Sequence, residues 1–303
     1  MTAHYPILHV IIPLLGAPLC LFVRVPRLAG WFALIISILV FLISCGLLLQ
    51  VLEHGTIVYE LGGWAAPWGI EYRIDYLNSY LILLVSAMGA IVLVAAQTSI
   101  RRELPEDRHT FFYTAYLLCL TGLLGILATG DAFNLFVFLE ISALSSYTLI
   151  ALGTDRRALT ASYQYLIMGT IGATFIIIGV GLMYMMTGTL NMYDLAQRLP
   201  EVHNTKTVLS AIGFFIVGVC LKLALFPLHL WLPNAYAFAP SIATAFLAAT
   251  STKVAVYVLI RCVFSIFGIE FVSTVLPINE IFVVLGLCLL YTSDAADEGV
   301  EGG

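Results

Sequence analysis

The chain has 303 residues, of which 61% are apolar and only 10% are charged, and its mean hydropathy is +1.02. A soluble domain carries about 25% charged residues, so this chain lacks the polar side chains needed to cover a water-exposed surface. Its formal net charge of −5 excludes the basic footprint of a nucleic-acid-binding protein. The composition therefore predicts a polytopic membrane protein that lies in a lipid bilayer and has no nucleic-acid partner.

Apolar segments of the length of a membrane span recur along the whole chain. A spanning helix needs about 20 apolar residues, and a ninth segment, which begins near 279, stops after about ten. The predicted fold is therefore all-α, a transmembrane helix bundle with about eight spans and a truncated ninth. The eight complete segments are 5–23, 30–52, 76–100, 110–129, 132–152, 160–186, 207–233 and 240–266.

The longest connection between these segments covers 53–75. It is rich in glycine around Trp64 and Trp68, and apolar and polar residues alternate over 56–59. Alternation of this kind, bounded by turn-forming residues, predicts a short β-hairpin at the membrane face. The two tryptophans are expected to act as interfacial anchors.

Basic residues are distributed unevenly between the two sides of the predicted bundle. Cytoplasmic loops of membrane proteins are enriched in Lys and Arg. We therefore expect a multi-pass protein of the cytoplasmic membrane with its N-terminus outside. The loops after the first, third and fifth segments hold Arg24, Arg27, Arg101, Arg102, Arg108, Arg156 and Arg157, whereas those after the second, fourth and sixth hold Arg73, Arg198 and Lys206.

No sequence motif for a metal, a nucleotide or a redox group is present. The six cysteines are scattered singly in apolar stretches, so none forms the closely spaced pair of a metal or iron–sulfur site. The chain has no P-loop, dinucleotide fingerprint or zinc-protease motif. We expect no cofactor and no catalytic centre in this chain, so any redox chemistry would belong to another subunit.

The ninth apolar segment gives way to a polar string at 291–298. The sequence from Cys288 to Glu298 resembles the translation of a common sequencing-library adapter. We therefore expect the native sequence to stop at about Leu287, and 291–303 to be a non-native polar tail. A natural polar tail is the alternative.

Three ionisable residues lie well inside the predicted spans, namely Glu140, Lys222 and Lys253. A charge at the centre of a transmembrane helix costs about 2.5–3.5 kcal/mol, so each of them needs a partner or water. Phe136 and Leu144 lie four residues before and after Glu140, so its own helix offers no counter-charge. One of the two lysines is the expected partner, either as a functional pair or as an ion pair that only holds helices together.

Polar neighbours suggest how a proton would travel beyond such a pair. Thr250 and Tyr257 lie three residues before and four residues after Lys253, which places them on its helical face. Their hydroxyls either hold a water chain there or, as is more common for threonine and tyrosine in membrane helices, are satisfied by nearby backbone groups.

Prolines interrupt the seventh predicted span. Pro227 has no backbone N–H and its ring clashes with the carbonyl group four residues earlier, so the helix is disturbed just beyond Lys222. Pro233 and Pro240 extend the disturbance, and we expect a break between Phe226 and Ser241. Broken helices at membrane depth line watery cavities, and transporters use them at ion sites.

The acid and the lysines fit a proton switch. A buried lysine without a counter-charge loses its proton readily, and a carboxylate about 4 Å away supplies about 4 kcal/mol at an effective dielectric of about 20. Forming and breaking a Glu140–Lys222 pair would load and release a proton, which water would pass to Lys253. His229, inside the predicted break, is either a structural histidine or a member of this proton relay.

At these residues the sequence resembles the antiporter-like membrane subunits shared by respiratory complex I and Mrp-type cation/proton antiporters. The matching stretches are 130–140, 222–236 and 239–253. The second of them looks most similar to the D subunits of Mrp antiporters, with a proton-pumping subunit of an NADH-quinone oxidoreductase or a membrane-bound hydrogenase as the alternative. The resemblance implies that Glu140 and Lys222 form the coupled pair and that Lys253 continues the proton path.

The resemblance also implies the organisation of the chain and its partners. We expect three transmembrane helices and the hairpin at 1–109, a five-helix proton-translocating unit at 110–268, and the start of an inverted second unit at 269–290. Other membrane subunits of a hetero-oligomeric complex are the expected partners, and protons and Na⁺ the expected ions. A subunit that contacts quinone directly and a structural scaffold are the competing interpretations.

Overall fold

A computed structural model describes residues 4–23, 25–202, 205–275 and 278–292. Within these ranges each of the eight predicted spans forms a helix that is long and apolar enough to cross a membrane. The all-α bundle expected from the sequence is therefore confirmed. The spans are α1 Tyr5–Phe22, α2 Pro26–His54, α3 Tyr76–Glu103, α4 Glu106–Ala128, α5 Ala132–Ala151, α6 Arg157–Thr187, α8 Lys206–Leu223 and α10 Ser241–Ile260, the last continued by a π-helical turn at Arg261–Ile266.

The connection between α2 and α3 forms the predicted hairpin. Strands β1 Ile57–Glu60 and β2 Glu71–Ile74 pair antiparallel. Trp64 and Trp68, in the segment between the strands, are 69% and 91% exposed. Tyr72 in β2 also forms a backbone bridge with Thr129 at the end of α4, which fastens the hairpin to one end of the bundle.

Two helices on this hairpin side begin at aspartate caps. Asp75 accepts hydrogen bonds from the backbone at the start of α3 and forms a capping box with Asn78. Asp131 caps α5 by accepting a hydrogen bond of 2.7 Å from the N–H of Asn134. Burial raises the pKa of the Asp131 carboxyl above its usual range, against the opposing effect of hydrogen bonds from the backbone of Asn134 and Phe133.

Helix α4 lies at the centre of the bundle, with 89% of its most apolar stretch buried. The ring of Tyr116 on this helix contacts that of Phe246 on α10 with centroids 4.3 Å apart. The phenol of Tyr116 donates a hydrogen bond of 2.8 Å to the carbonyl of Gly89 on α3. Buried aromatic contacts therefore join the three N-terminal helices to the helices that follow them.

Helices α6 and α8 approach each other most closely at glycine residues. A Cβ atom on Gly218 would lie 2.6 Å from the carbonyl oxygen of Gly172, and one on Gly179 would lie 3.0 Å from that of Ala211. Small residues at helix contacts are typical of membrane bundles. This contact holds Lys222, one turn after Gly218, against the bundle interior.

The seventh predicted span is broken, and its first helix ends just beyond Lys222. Helix α8 ends at Leu223, followed by Ala224 in the left-handed region with φ 58°, and the N–H of Leu225 bonds back to the carbonyl of Cys220. The disturbance expected just beyond Lys222 is therefore confirmed, and α8 ends three residues before Phe226, because the helix end folds back before the proline is reached. Part of the expected gap is itself helical, since α9 spans Trp231–Phe238.

In the described part of the chain, three further helices are too short or too polar to be spans. Helix α7 Met192–Val202 is amphipathic and buries Leu195 and Leu199, so it lies along the hairpin side of the bundle without crossing it. Helices α11 Ile269–Val275 and α12 Ile278–Thr292 follow α10. The predicted polar tail lies almost entirely outside the described residues, which end at 292.

Candidate functional site

An acid and a lysine from distant parts of the chain meet inside the bundle. The Nζ atom of Lys222 on α8 donates to Oε1 of Glu140 on α5 at 3.0 Å. The Lys222 side chain is 7% exposed and the Glu140 side chain 23% exposed. The expected partner of Glu140 is therefore present, it comes from another helix, and it is Lys222.

The broken helix fixes the position of Lys222. This lysine lies in the last turn of α8, where the negative end of the helix dipole favours a cation. Trp231 at the start of α9 donates its indole N–H to the carbonyl of Leu221 at 3.2 Å, so α9 folds back onto the end of α8. The Trp231 ring stacks on Tyr165 of α6 with centroids 3.9 Å apart.

A small cavity of about 20 Å³ lies beside Lys222. A cavity of this size holds one water molecule when polar partners are present. The hydroxyls of Ser142 and Ser146 donate to backbone carbonyls of their own helix, which leaves their oxygen atoms as acceptors. Besides Lys222, the polar residues that line the cavity are Ser142, Ser146, Tyr165 and Ser251, and the remainder of the lining is apolar.

Lys253 lies on the outer surface of α10, and the structure does not bring it to the Glu140–Lys222 pair. Its Nζ atom donates to the carbonyl of Ala248 on the same helix at 2.6 Å. Helix α10 instead turns Ser251 toward the Lys222 cavity. At 100° per residue, two positions along a helix differ by about 200°, so Lys253 points away from that cavity.

The two hydroxyls near Lys253 follow the second of the two alternatives, in which nearby backbone groups satisfy them. Thr250 is buried and donates to the carbonyl of Phe246 at 2.7 Å, while the phenol of Tyr257 is buried and donates to the carbonyl of Leu127 at 3.2 Å. Both hydroxyls are satisfied by backbone groups. The residues three before and four after Lys253 are offset from it by about 60° and 40° around the helix, which is enough to separate a buried face from an exposed one.

His229 lies in the turn between α8 and α9, as the sequence predicts. Its ring packs beside that of Phe226 with centroids 5.6 Å apart, and its buried Nδ1 atom has no hydrogen-bond partner among the described residues. The three predicted helix-breaking prolines flank it on both sides. Pro227 lies in the turn itself, Pro233 lies in the first turn of α9, and Pro240 immediately precedes α10.

A second charged pair, which was not predicted from the sequence, lies at the hairpin end of the bundle. Arg261 forms an ion pair with Asp75, the cap residue of α3, and its Nε atom donates to the Tyr257 phenol at 3.0 Å. The pair borders a cavity of about 230 Å³, which Arg73 and Tyr193 also line. Arg261 falls inside the predicted segment 240–266, and a charge in an apolar segment is the signal that would have identified it.

Small cavities follow one another from the buried pair toward this end. A cavity of about 10 Å³ shares Ile126 with the Lys222 cavity, and it shares Tyr257 and Arg261 with the larger one. Among the described residues no group of three or more His, Cys, Asp or Glu side chains is placed to hold a metal ion. The arrangement is suited to moving a proton between ionisable side chains.

Proteins of similar sequence include subunits of a quinone oxidoreductase and of a Na⁺/H⁺ antiporter. The chain is 46% identical to the N subunit of the NADH-quinone oxidoreductase of Desulforudis audaxviator over 87% of this chain and 53% of that protein. It is 35% identical to the D subunit of the Na⁺/H⁺ antiporter of Alkalihalophilus pseudofirmus over 86% of this chain and 53% of that protein. The chain thus spans about half the length of the relatives it matches.

Solved structures support the same relationship. A chain of the membrane-bound sulfane sulfur reductase, an archaeal respiratory membrane complex, superposes with a TM-score of 0.84 at 32% identity, over 92% of this chain and 56% of that one. A chain of the Mrp complex from a Dietzia species superposes with a TM-score of 0.79 at 26% identity, over 88% of this chain and 49% of that one. Residues 129–296, which contain Glu140, Lys222 and Lys253, match the family described as NADH:quinone oxidoreductase/Mrp antiporter, transmembrane, and the chain belongs to that family.

Proposed function

We propose that this chain is part of a proton-translocating membrane subunit in which Lys222 takes up and releases a proton as its ion pair with Glu140 forms and breaks. The observation that carries the proposal is the 3.0 Å contact between these side chains inside the bundle. Ion pairs on a water-exposed surface contribute little to stability. In a buried pair, by contrast, the charge of each partner depends strongly on the charge of the other. The family relationship supports a transport role for such a pair.

The proposed step needs only side chains of this chain and water. With the pair closed, the carboxylate of Glu140 stabilises the ammonium group of Lys222 against the cost of burial. When the pair opens, Lys222 is left in a largely apolar cavity and releases its proton to a water molecule beside Ser142. Reclosure of the pair then favours uptake of the next proton.

Lys253 and His229 are assigned further positions on the proton path. The exposure of Lys253 supports a role at a contact with another part of the complete subunit or with a neighbouring subunit. The unpartnered buried Nδ1 atom of His229, close to the break in α8, supports a role as a proton acceptor between the bundle and its arginine-rich face. With the N-terminus outside, that face is cytoplasmic and the hairpin is external.

Two kinds of multi-subunit complex are candidates for the complete protein. The 46% identity to the N subunit of a quinone oxidoreductase supports a proton-pumping quinone oxidoreductase. The 35% identity to an antiporter's D subunit and the similarity to the Mrp complex support a monovalent cation/proton antiporter, with Na⁺ as its counter-ion. Genes for iron–sulfur and flavin subunits beside the complete gene would favour the first, and genes for small Mrp-like membrane subunits the second.

A lysine substitution tests the proton role directly. We expect Lys222→Ala, in the complete subunit assembled with its partners, to lower proton translocation into inverted membrane vesicles at least tenfold. Lys206→Ala is the matched control, because Lys206 is the exposed first residue of the same helix. Assembly of the complex is expected to be unchanged in both variants, as measured by native gel electrophoresis. Normal translocation by assembled Lys222→Ala would refute the proposal.

A further inference from the structure

A cavity of about 370 Å³ opens at the end of the bundle opposite the hairpin. It lies between the start of α2 and the turn that joins α3 to α4, far from the Glu140–Lys222 pair in sequence and on a different group of helices. No step of the proposed proton path uses its residues. The polar residues that line it are Arg27, Gln97, Arg101, Glu106, His109 and Tyr113.

Several hydrogen-bond donors of this cavity have no partner among the residues that the structure describes. Arg27 and Arg101 make no hydrogen bond or ion pair with any other residue in the described part of the chain. The Nε2 atom of Gln97 is buried and likewise unpartnered there. The Gln97 amide and the Tyr113 hydroxyl converge at Gly30, where a Cβ atom would lie 2.8 and 2.7 Å from their oxygen atoms. The cavity therefore presents two guanidinium groups, an amide and a phenol together.

The charge of the lining is positive. Glu106 is its one carboxylate among the described residues, and it is exposed at the start of α4. Glu103, the neighbouring acid on α3, is already bonded to the Ser99 hydroxyl and to the backbone N–H of Ser241. Guanidinium groups match the oxygen geometry of phosphate, and a phosphodiester oxygen is also a good acceptor for an amide or phenol proton.

The surroundings of the cavity favour an amphipathic ligand over a soluble one. Phe22, Leu28 and Trp31, at the adjoining ends of α1 and α2, are 80%, 58% and 55% exposed. Exposed apolar and tryptophan side chains at the ends of transmembrane helices lie against lipid. Basic pockets between transmembrane helices near the membrane surface bind anionic lipid headgroups. We propose that this cavity binds the phosphate headgroup of an anionic phospholipid, whose acyl chains lie along α1 and α2.

Native mass spectrometry of the intact chain, purified in neutral detergent and titrated with phosphatidylglycerol, tests this site. The double variant Arg27→Gln/Arg101→Gln is expected to weaken retention of phosphatidylglycerol about 25-fold, about fivefold for each arginine lost. The matched control is Arg102→Gln/Arg108→Gln, which removes two exposed arginines of the same face that do not line the cavity. The control is expected to retain the lipid as the parent does, and Arg101→Gln alone to lose about fivefold.

Two competing ligands complete the experiment. Phosphatidylcholine is expected to be retained far less than phosphatidylglycerol, and glycerol 3-phosphate at equal concentration is expected not to displace the lipid. Equal retention by the cavity variant and the control would overturn the proposal, as would equal retention of the two lipids. Displacement by glycerol 3-phosphate would also overturn it, by identifying a site for soluble phosphate compounds instead. The result is independent of proton translocation, because neither variant touches the Glu140–Lys222 pair.

Discussion

The Nζ atom of Lys222 lies 3.0 Å from the Oε1 atom of Glu140, although the two residues are 82 positions apart in the chain. Helix α5 supplies the acid, and α8 supplies the lysine in the turn where the helix ends. The close glycine contact between α6 and α8 sets the depth of this last turn. The packing of the helices therefore brings the pair together. Its contribution to stability and its contribution to proton translocation can be measured separately.

Removal of one partner is expected to destabilise the bundle. Glu140→Gln leaves a buried ammonium group without its counter-charge, and the loss is expected to be about 2 kcal/mol in the free energy of unfolding, since Glu140 is partly exposed. Lys222→Met is expected to cost about as much. The double variant should lose less stability than the sum of the two single losses, and the difference should be about 1 kcal/mol or more. Unfolding in mixed micelles of increasing dodecyl sulfate content measures all three, and strictly additive losses would show that the pair does not interact.

Lys253 is expected to separate function from stability. Its exposed side chain bonds only to a carbonyl of its own helix within the described part of the chain, so Lys253→Met should change the free energy of unfolding by about 0.5 kcal/mol or less. Proton translocation by the assembled complex should nevertheless fall several-fold if this lysine carries protons onward. Vesicle assays and micelle unfolding on the same preparation give both quantities. Unchanged translocation would remove Lys253 from the proton path.

The contact between α6 and α8 is expected to tolerate no side chain. Gly218→Ala would place a Cβ atom 2.6 Å from the Gly172 carbonyl oxygen, so we expect a loss of about 1–3 kcal/mol in stability as α8 moves outward. Gly213→Ala on the same helix meets nothing within 4 Å and should be neutral or slightly stabilising. Because Lys222 follows Gly218 by one turn, translocation should fall in the first variant and be retained in the second. Equal stability of the two variants would contradict the packing described.

Asp131 is expected to make stability depend on pH. Burial raises the pKa of this carboxyl in the folded protein, so its ionised form weakens the fold, and stability is lost as the pH rises through the folded pKa. In the Asp131→Asn variant the backbone N–H of Asn134 would still have an acceptor, because asparagine caps helices as well as aspartate does. The variant should therefore be more stable than the parent at about pH 7, with a difference that shrinks as the pH approaches about 4, the usual pKa of an aspartate. A difference that grows on acidification would contradict this sign.

The sequence predicts the spans of this protein well because their signal is local. Every apolar segment of sufficient length forms a helix, and the hairpin follows from alternation and turn residues within 53–75. The partner of Glu140 was also predictable, since two lysines within apolar segments were the candidate counter-charges that the sequence offered. Local sequence does not show which helix covers a given face. The outward position of Lys253 therefore had to come from the structure.

The end of α8 and the charged pair at the hairpin side show the same limit. Pro227 explains why the helix cannot continue, but the left-handed turn at Ala224, one turn earlier, depends on the fold of Trp231 back onto Leu221. The pairing of Asp75 with Arg261 joins residues 186 positions apart. Both features arise from tertiary contacts that no local periodicity records.

Exchange of the two charges tests the central claim most directly. The double variant Glu140→Lys/Lys222→Glu keeps an ion pair between α5 and α8 but reverses which helix carries the proton-accepting amine. Stability in mixed micelles should recover most of what either single substitution loses, whereas proton translocation by the assembled complex should stay at least tenfold below that of the parent. Recovery of translocation together with stability would mean that the pair only joins two helices and takes no part in moving protons.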